Sequence, residues 1–293
     1  MSVDQGSRKG YHGFIEYDHD GTQVTKVCSR SNTPGVSSLK REYATLQSIK
    51  DLDIAPRARR YFVQTDGTES ITMERVNGKH WFELTVEEQR QYLPAVISTL
   101  TLLHNAKSSR WRYEVNGTWE TGTTYDAYRS NIQLLRKFAL SCGYTEAIRF
   151  LQLYGNELFS IIRSVPPDED FALIHFDPSP GNIFITSDGI KLIDWGSAHY
   201  NDRALDIARV ITKLTDGSKE ATESVLGWCT EDRSFRRRIL AYLPLAYLAI
   251  AVGRAENNGR SIPVGAALRG LSQREVYLKA QELIIHIIKG QIE

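Results

Sequence analysis

Cysteine is scarce. The 293 residues contain three, Cys28, Cys142 and Cys229. They are scattered and odd in number, with no Cys-x-x-Cys spacing. That pattern excludes a zinc ribbon and a disulfide framework, and it fits reduced thiols in a cytoplasm. Long apolar runs are lacking too. The longest, Ile239 to Val252, contains Pro244 and is too short to cross a hydrocarbon core about 30 Å thick, so it reads as a buried helix. The first residues, Met1-Ser2-Val3-Asp4-Gln5, carry neither a basic n-region nor an apolar h-region, so no signal peptide is expected. No sign of charge dominates: 36 Lys and Arg against 35 Asp and Glu leave a formal net charge of +1. Such a balance gives no global field for nucleic acid or an anionic membrane. Two basic clusters, Arg57-Ala58-Arg59-Arg60 and Arg236-Arg237-Arg238, lie near acids and read as solvated faces. Internal repeats and low-complexity segments are absent from the pattern.

What is present suits a globular protein of two lobes or one large domain, with an ordinary apolar content of 41%. Alternating residues around the turn Asp18-His19-Asp20-Gly21 predict a hairpin of Gly13–Tyr17 with Gln23–Cys28. Leu39, Tyr43, Leu46 and Ile49 recur at helical spacing, so residues 37–50 read as an amphipathic helix. A second hairpin pairs Arg60–Gln64 with Ser70–Glu74 across Asp66-Gly67. The stretch from Ser2 to Gly10 reads as flexible, without a first strand. After Val76-Asn77-Gly78 the pattern turns helical. Thr85 and Glu88 form a capping box, and helices are expected at about 203–215, 219–229, 232–254 and 271–289. Strands first and helices later give an α+β layout, divided at residues 1–76 and 77–293.

The segment Ile174-His175-Phe176-Asp177-Pro178-Ser179-Pro180-Gly181-Asn182 carries the chemistry. Phe171–Ile174 is an apolar strand. Pro178, Pro180 and Gly181 then forbid a helix and force a loop. Asn182–Thr186 resumes as a strand, Ser187-Asp188-Gly189 turns the chain, and Ile190–Ile193 leads to Asp194. One small sheet is thus expected to gather Asp177, Asn182 and Asp194 at one end. One carboxylate can accept the proton of an attacking hydroxyl, while the Asn amide oxygen and the second carboxylate can hold Mg2+. Phosphoryl transfer needs positioning and charge neutralisation more than covalent help, so these three side chains nearly complete such a site. On physics alone His175 could be a base as well.

His175-x-Asp177-x-x-x-x-Asn182, followed by Ile193-Asp194 and by Asp206, resembles the signature of the aminoglycoside-phosphotransferase and choline-kinase-like small-molecule kinases. The match spans about 40 residues, from Ile174 to Val210. The resemblance implies a two-lobed protein-kinase-like fold, with a small β-rich N-lobe and a larger, mostly helical C-lobe. It also implies roles. Asp177 would be the catalytic base, and Asn182 and Asp194 magnesium ligands. His175 would hold the loop, and Asp206 would tie it to the following helix. The family usually has Gly where this chain has Phe176, which should pack against the core or line the acceptor pocket. The tail Lys289–Glu293 does not resemble the aromatic-acidic tail of aminoglycoside 3′-phosphotransferases.

The nucleotide, ATP or GTP, should lie against the first lobe. Lys26, in mid-strand on the face of Val24 and Cys28, would hold the α- and β-phosphates with Glu42. The alternative is a snorkelling surface lysine. Gly10-Tyr11-His12-Gly13 is a weak candidate for the phosphate-covering loop. Backbone groups from Glu74 to Val76 would read the base. For the acceptor, Trp111, Tyr113, Trp119, Tyr125 and Tyr128 cluster with Glu114, Glu120 and Asp126, which suits a cationic amine or else is ordinary packing. Asp168-Glu169-Asp170 and Thr230-Glu231-Asp232 are further acidic candidates. The resulting expectation is a phosphotransferase in a monomer or homodimer, acting on a hydroxyl of an aminoglycoside or related amino sugar. A choline- or ethanolamine-type metabolite is the alternative. A protein kinase is disfavoured, since Asp-Phe-Gly and Ala-Pro-Glu are absent. From a different class, a non-catalytic nucleotide-binding scaffold remains open.

Overall fold

The structure, a computed structural model, describes residues 8–10, 13–28, 39–112, 119–167, 170–215, 218–229, 232–256 and 271–288. The chain begins with β1 (Arg8–Gly10), β2 (Gly13–Tyr17) and β3 (Gln23–Cys28), then α1 (Leu39–Ser48), β4 (Ala58–Val63) and β5 (Glu69–Glu74). These strands form one antiparallel sheet in the order β1-β2-β3-β5-β4. Both hairpins are the ones the turn residues predict. The expectation that no strand precedes Gly10 is corrected: Arg8–Gly10 pairs with Gly13–Ile15, because the edge of β2 offers it a ladder of backbone partners. Helix α1 packs on this sheet through Leu39 and Leu46, both buried.

The remainder is mostly helical. β6 (Lys79–His80), α2 (Val86–Leu103), β7 (Lys107–Ser108), β8 (Arg110–Arg112) and β9 (Trp119–Thr121) lead to α3 (Thr124–Ser141) and α4 (Thr145–Arg163). Then follow β10 (Phe171–Ile174), β11 (Ile183–Thr186), β12 (Gly189–Leu192) and β13 (His199–Asn201). The helices α5 (Ala204–Leu214), α6 (Lys219–Cys229), α7 (Arg233–Glu256) and α8 (Gln273–Ile288) complete the described chain. The Thr85–Glu88 capping box forms, with Glu88 N–H on Thr85 Oγ1 at 3.2 Å and Thr85 N–H on Glu88 Oε2 at 2.7 Å. The apolar run around Pro244 is the centre of α7, with Ile239, Tyr242, Leu243 and Leu248 buried. No described helix is long and apolar enough to cross a membrane.

Two sequence expectations change. The single small sheet is two. β10 lies between β13 and β7, whereas β11 lies between β12 and β6. The loop after β10 therefore bridges two sheets rather than turning within one. Gly78 makes the second sheet possible, because a Cβ there would stand 2.3 Å from the Ile185 carbonyl oxygen. The cluster Arg236-Arg237-Arg238 is not wholly solvated either. Arg238 is buried, with its Nε 3.3 Å from Oδ2 of the buried Asp202. A buried carboxylate needs such a partner, and Asp202 is itself fixed in place because its Oδ1 accepts Ala204 N–H at 3.0 Å at the start of α5.

Candidate active site

The loop between β10 and β11 is held from below by α5. Asp206 is fully buried and accepts three hydrogen bonds. Its Oδ2 takes His175 N–H at 2.8 Å and pairs with His104 Nε2 at 3.1 Å, and its Oδ1 takes Phe176 N–H at 2.8 Å. Burial works to raise the Asp206 pKa, but His104, His175 and the backbone donors outweigh it and the value is lowered. His175 is buried and burial lowers its pKa. Its Nε2–H donates to the Ile193 carbonyl at 3.0 Å, and its Nδ1 accepts Asp177 N–H at 3.3 Å. Both ring nitrogens are thus taken by backbone.

Phe176 is half-buried and packs against the hydrophobic core, one of the two places expected for it. Its φ is +71°, a left-handed conformation that costs a residue with a Cβ about 1–2 kcal/mol. Its ring lies between the Arg209 guanidinium, 3.6 Å from the ring centre, and His199 at 4.9 Å. Arg209 also donates to the Phe176 carbonyl at 2.5 Å. His199 is neutral and occupied: Nδ1–H donates to Ser197 O at 2.7 Å and Nε2 accepts from Asn201 at 3.1 Å. Burial pushes its pKa down to about 4 from 6.5. The folded value lies below the unfolded one, so stability is full above pH 6.5 and falls as pH drops toward 4. Such a gap corresponds to about 3 kcal/mol at the acid end. Urea unfolding across this range should show that loss, reduced in His199→Gln; an equal loss in both proteins would contradict it.

The Asp177 carboxylate, 37% exposed, faces outward from this support. Its Oδ2 accepts from Asn182 Nδ2 at 3.1 Å, and that amide also donates to the Asp177 carbonyl at 3.0 Å. Its Oδ1 pairs with Lys213 Nζ, whose side chain is only 11% exposed. Burial works to raise the Asp177 pKa, but Lys213, Arg209 and His175 together lower it. Asn182 is tied to the next strand, since Ile193 N–H donates to its carbonyl at 2.9 Å. One residue on, Asp194 has φ +64° and ψ +63°, which turns its half-exposed carboxylate out of the β12 path.

From the other side the β-sheet reaches in. Lys26 Nζ lies 2.6 Å from Asp194 Oδ1 and 2.9 Å from Glu42 Oε2. Burial draws this ammonium toward neutrality, but the two carboxylates more than offset it and its pKa is raised. Glu42 is buried on α1, and its Oε1 accepts Trp195 N–H at 3.3 Å. Arg41 donates to Gly196 O at 2.8 Å, so α1 grips the Asp194 turn twice. Lys26 is therefore not a snorkelling surface lysine.

Asp177, Asn182, Asp194, Lys26, Glu42, His175 and Asp206 thus form one connected cluster. Glu74 ends β5 and Val76 follows that strand, both outside the cluster. Glu74 N–H is bound to Arg57 O at 3.0 Å and Arg75 N–H to Thr22 O at 2.9 Å, so those two donors are committed to the sheet. The aromatic cluster is dispersed among the described residues. Trp111 and Tyr128 are buried, Tyr128 OH donates to Ala241 O at 2.9 Å, and Tyr125 OH bonds Val165 O. Asp126 caps α3 by accepting Thr123 N–H at 2.8 Å, and Asp232 caps α7 by accepting Ser234 N–H at 2.8 Å. Tyr11, His12, Tyr113, Glu114, Asp168, Glu169, Thr230, Glu231 and Lys289–Glu293 lie outside the described residues. Sequence reasoning missed His104, Arg209 and Lys213. The last two stand three and seven positions after Asp206 on one helix, a spacing that shares its face.

The donor set fits magnesium. Asn182 directs its amide NH2 at Asp177, which leaves the amide oxygen to face away, and Asp194 spends one carboxylate oxygen on Lys26. Magnesium takes oxygen ligands, typically one or two carboxylates together with phosphates and water, rather than a full protein cage. No cluster of three or more His, Cys, Asp or Glu that could enclose a metal occurs among the described residues.

The chain is 14% identical to aminoglycoside phosphotransferase APH(4)-Ia, with a TM-score of 0.60 over 99% of this chain and 94% of that one. It is 13% identical to aminoglycoside 2′-phosphotransferase-IIIa in its GDP complex, with a TM-score of 0.61 over 97% and 92%. Against APH(3″)-Id from Streptomyces rimosus the identity is 18% and the TM-score 0.53, over 83% and 94%. At these identities the likeness is one of fold, the two-lobed kinase-like fold expected from the signature. No curated relative matches the sequence. The model of the phosphotransferase enzyme family matches residues 13–239, more than three quarters of the chain. The chain therefore belongs to the phosphotransferase enzyme family, as a small-molecule kinase.

Proposed function

We propose that the protein moves the γ-phosphate of ATP or GTP to a hydroxyl of a small molecule, with Asp177 as the catalytic base. The observation that carries this reading is the outward-facing Asp177 carboxylate, oriented by Asn182 and Lys213 beside the Lys26–Asp194 pair. Asp177 would accept a hydrogen bond from the acceptor hydroxyl and take its proton as the new oxygen–phosphorus bond forms and the nucleoside diphosphate leaves. Lys26, oriented by Glu42, would bind the α- and β-phosphates. Asn182 and Asp194 would hold magnesium, which when bound neutralises phosphate charge. Residues 1–76 would form the nucleotide-binding lobe, with backbone groups between Glu74 and Val76 reading the base, and residues 77–293 the catalytic and substrate-binding lobe. An aminoglycoside is the first acceptor class. Its support is that structures of the same fold hold AMP-PNP with hygromycin B, or ADP with streptomycin. A choline- or ethanolamine-type metabolite is the alternative acceptor; among the described aromatics, Trp111 and Tyr128 are buried.

Lys26→Ala tests the nucleotide half. Charge-assisted bonds of this kind are worth about 1.5–3 kcal/mol, so affinity for magnesium–AMP-PNP should fall about tenfold or more by calorimetry. The fold should survive, because burial already pushes the Glu42 pKa up and the carboxyl can take a proton when its partner is removed. Unchanged nucleotide affinity together with lost stability would make Lys26 structural and defeat the assignment.

A further inference from the structure

Helix α5 presents Asp206, Arg209 and Lys213 along one face, and each holds a successive part of the catalytic loop. Asp206 takes the N–H groups of His175 and Phe176, Arg209 takes the Phe176 carbonyl and ring, and Lys213 takes the Asp177 carboxylate. The middle contact is the unusual one. Asp53, Phe176 and Asp194 are the described non-glycine residues with positive φ, and Phe176 is the only bulky one of the three. A phenylalanine would leave the left-handed region if released, since an extended or right-handed backbone relieves its Cβ contact. It would then carry Asp177, the next residue, out of line. The half-buried ring touches the Arg209 guanidinium and the His199 ring, and the residue is gripped at both ends, N–H by Asp206 and C=O by Arg209.

We propose that Arg209 is a positioning residue for the phosphoryl-transfer reaction: by clamping the carbonyl and ring of Phe176 it enforces the left-handed turn that aims Asp177 at the acceptor. The inference rests on Asp177 being the base. Glycine at position 176 adopts positive φ without strain, so it makes the clamp dispensable. That relation gives the test its sign.

The first readout needs no acceptor. In Arg209→Met, amide hydrogen exchange at residues 176 and 177 should rise about tenfold over the wild type, while the exchange of β11 and α5 amides stays unchanged. The second readout is steady-state ADP formation with magnesium–ATP and hygromycin B or streptomycin. There kcat should fall about tenfold or more, as for a misplaced reacting group, with KM for ATP unchanged. Arg209→Lys, which keeps the charge but not the fork, should lie between. The double variant Arg209→Met with Phe176→Gly should regain most of the lost kcat and should exchange no faster at residue 177 than the wild type. Unchanged exchange in Arg209→Met, or a double variant no better than the single one, overturns the clamp. If Arg209→Met does not fold, Arg209→Lys with and without Phe176→Gly gives the same comparison. Asp177→Asn in the same assay separates the two readings. Turnover retained there removes the base assignment, whereas turnover lost there with Arg209→Met unaffected removes only the clamp.

Discussion

Asp177→Asn should lower phosphoryl transfer by at least about 100-fold, the usual worth of a positioned base, while magnesium–nucleotide affinity stays within about threefold. The substitution is nearly isosteric. Asn182 can still be met by the remaining side-chain oxygen, while Lys213 then faces the amide NH2 and loses its acceptor there. What disappears is the ability to take the proton of the acceptor hydroxyl. The nucleotide and magnesium contacts proposed above are made instead by Lys26 and Asp194, which pair with each other at 2.6 Å. Single-turnover kinetics with saturating ATP isolate the chemical step, and calorimetry with AMP-PNP isolates binding. Turnover within about threefold of the wild type would remove Asp177 from the chemistry.

Asp206→Ala should be the most destabilising single change at the site. The carboxylate is the acceptor shown for Phe176 N–H, His175 N–H and His104 Nε2, with Asp206, His175 and His104 buried and Phe176 half-buried. Breaking a buried charged contact while leaving its partners unmet costs about 3–5 kcal/mol. Urea unfolding at pH 7 should show a loss of this size, accompanied by loss of turnover, because His175 and Phe176 carry Asp177. Asp206→Asn should recover part of the stability, since one oxygen remains to accept. A stability change below about 1 kcal/mol in Asp206→Ala would mean that the loop is supported elsewhere.

Much of this site was legible in the sequence, for identifiable reasons. Pro178, Pro180 and Gly181 exclude helix and strand, so the loop between Ile174 and Asn182 follows from local chemistry. The late helices follow from their period, and the hairpins from Asp18–Gly21 and Asp66-Gly67. Long-range pairing was not legible. Nothing local tells β10 to pair with β13 and β7 while β11 takes β6, so one sheet was read where two exist. Burial of charge was hidden as well: Arg238 looks like its solvated neighbours until Asp202 is found beneath it. Trp111 and Tyr128 look like ligand-binding aromatics because sequence cannot tell a cage from a core. The departure at Phe176 was visible, but its consequence was not. A positive φ belongs to the folded backbone, where Asp206, Arg209 and His199 all contact Phe176. Arg209 and Lys213 could have been found by reading Asp206 onward at helical spacing.

The most direct measurement is transfer of labelled γ-phosphate from ATP and GTP to a panel of aminoglycosides, macrolides, choline, ethanolamine and simple sugars, with magnesium present and again with it chelated. Phosphorylated product from one acceptor class, strongest with an aminoglycoside and lost on chelation, is the expected result. Magnesium-dependent nucleotide binding with no product from any acceptor would contradict it and leave a nucleotide-binding scaffold in its place.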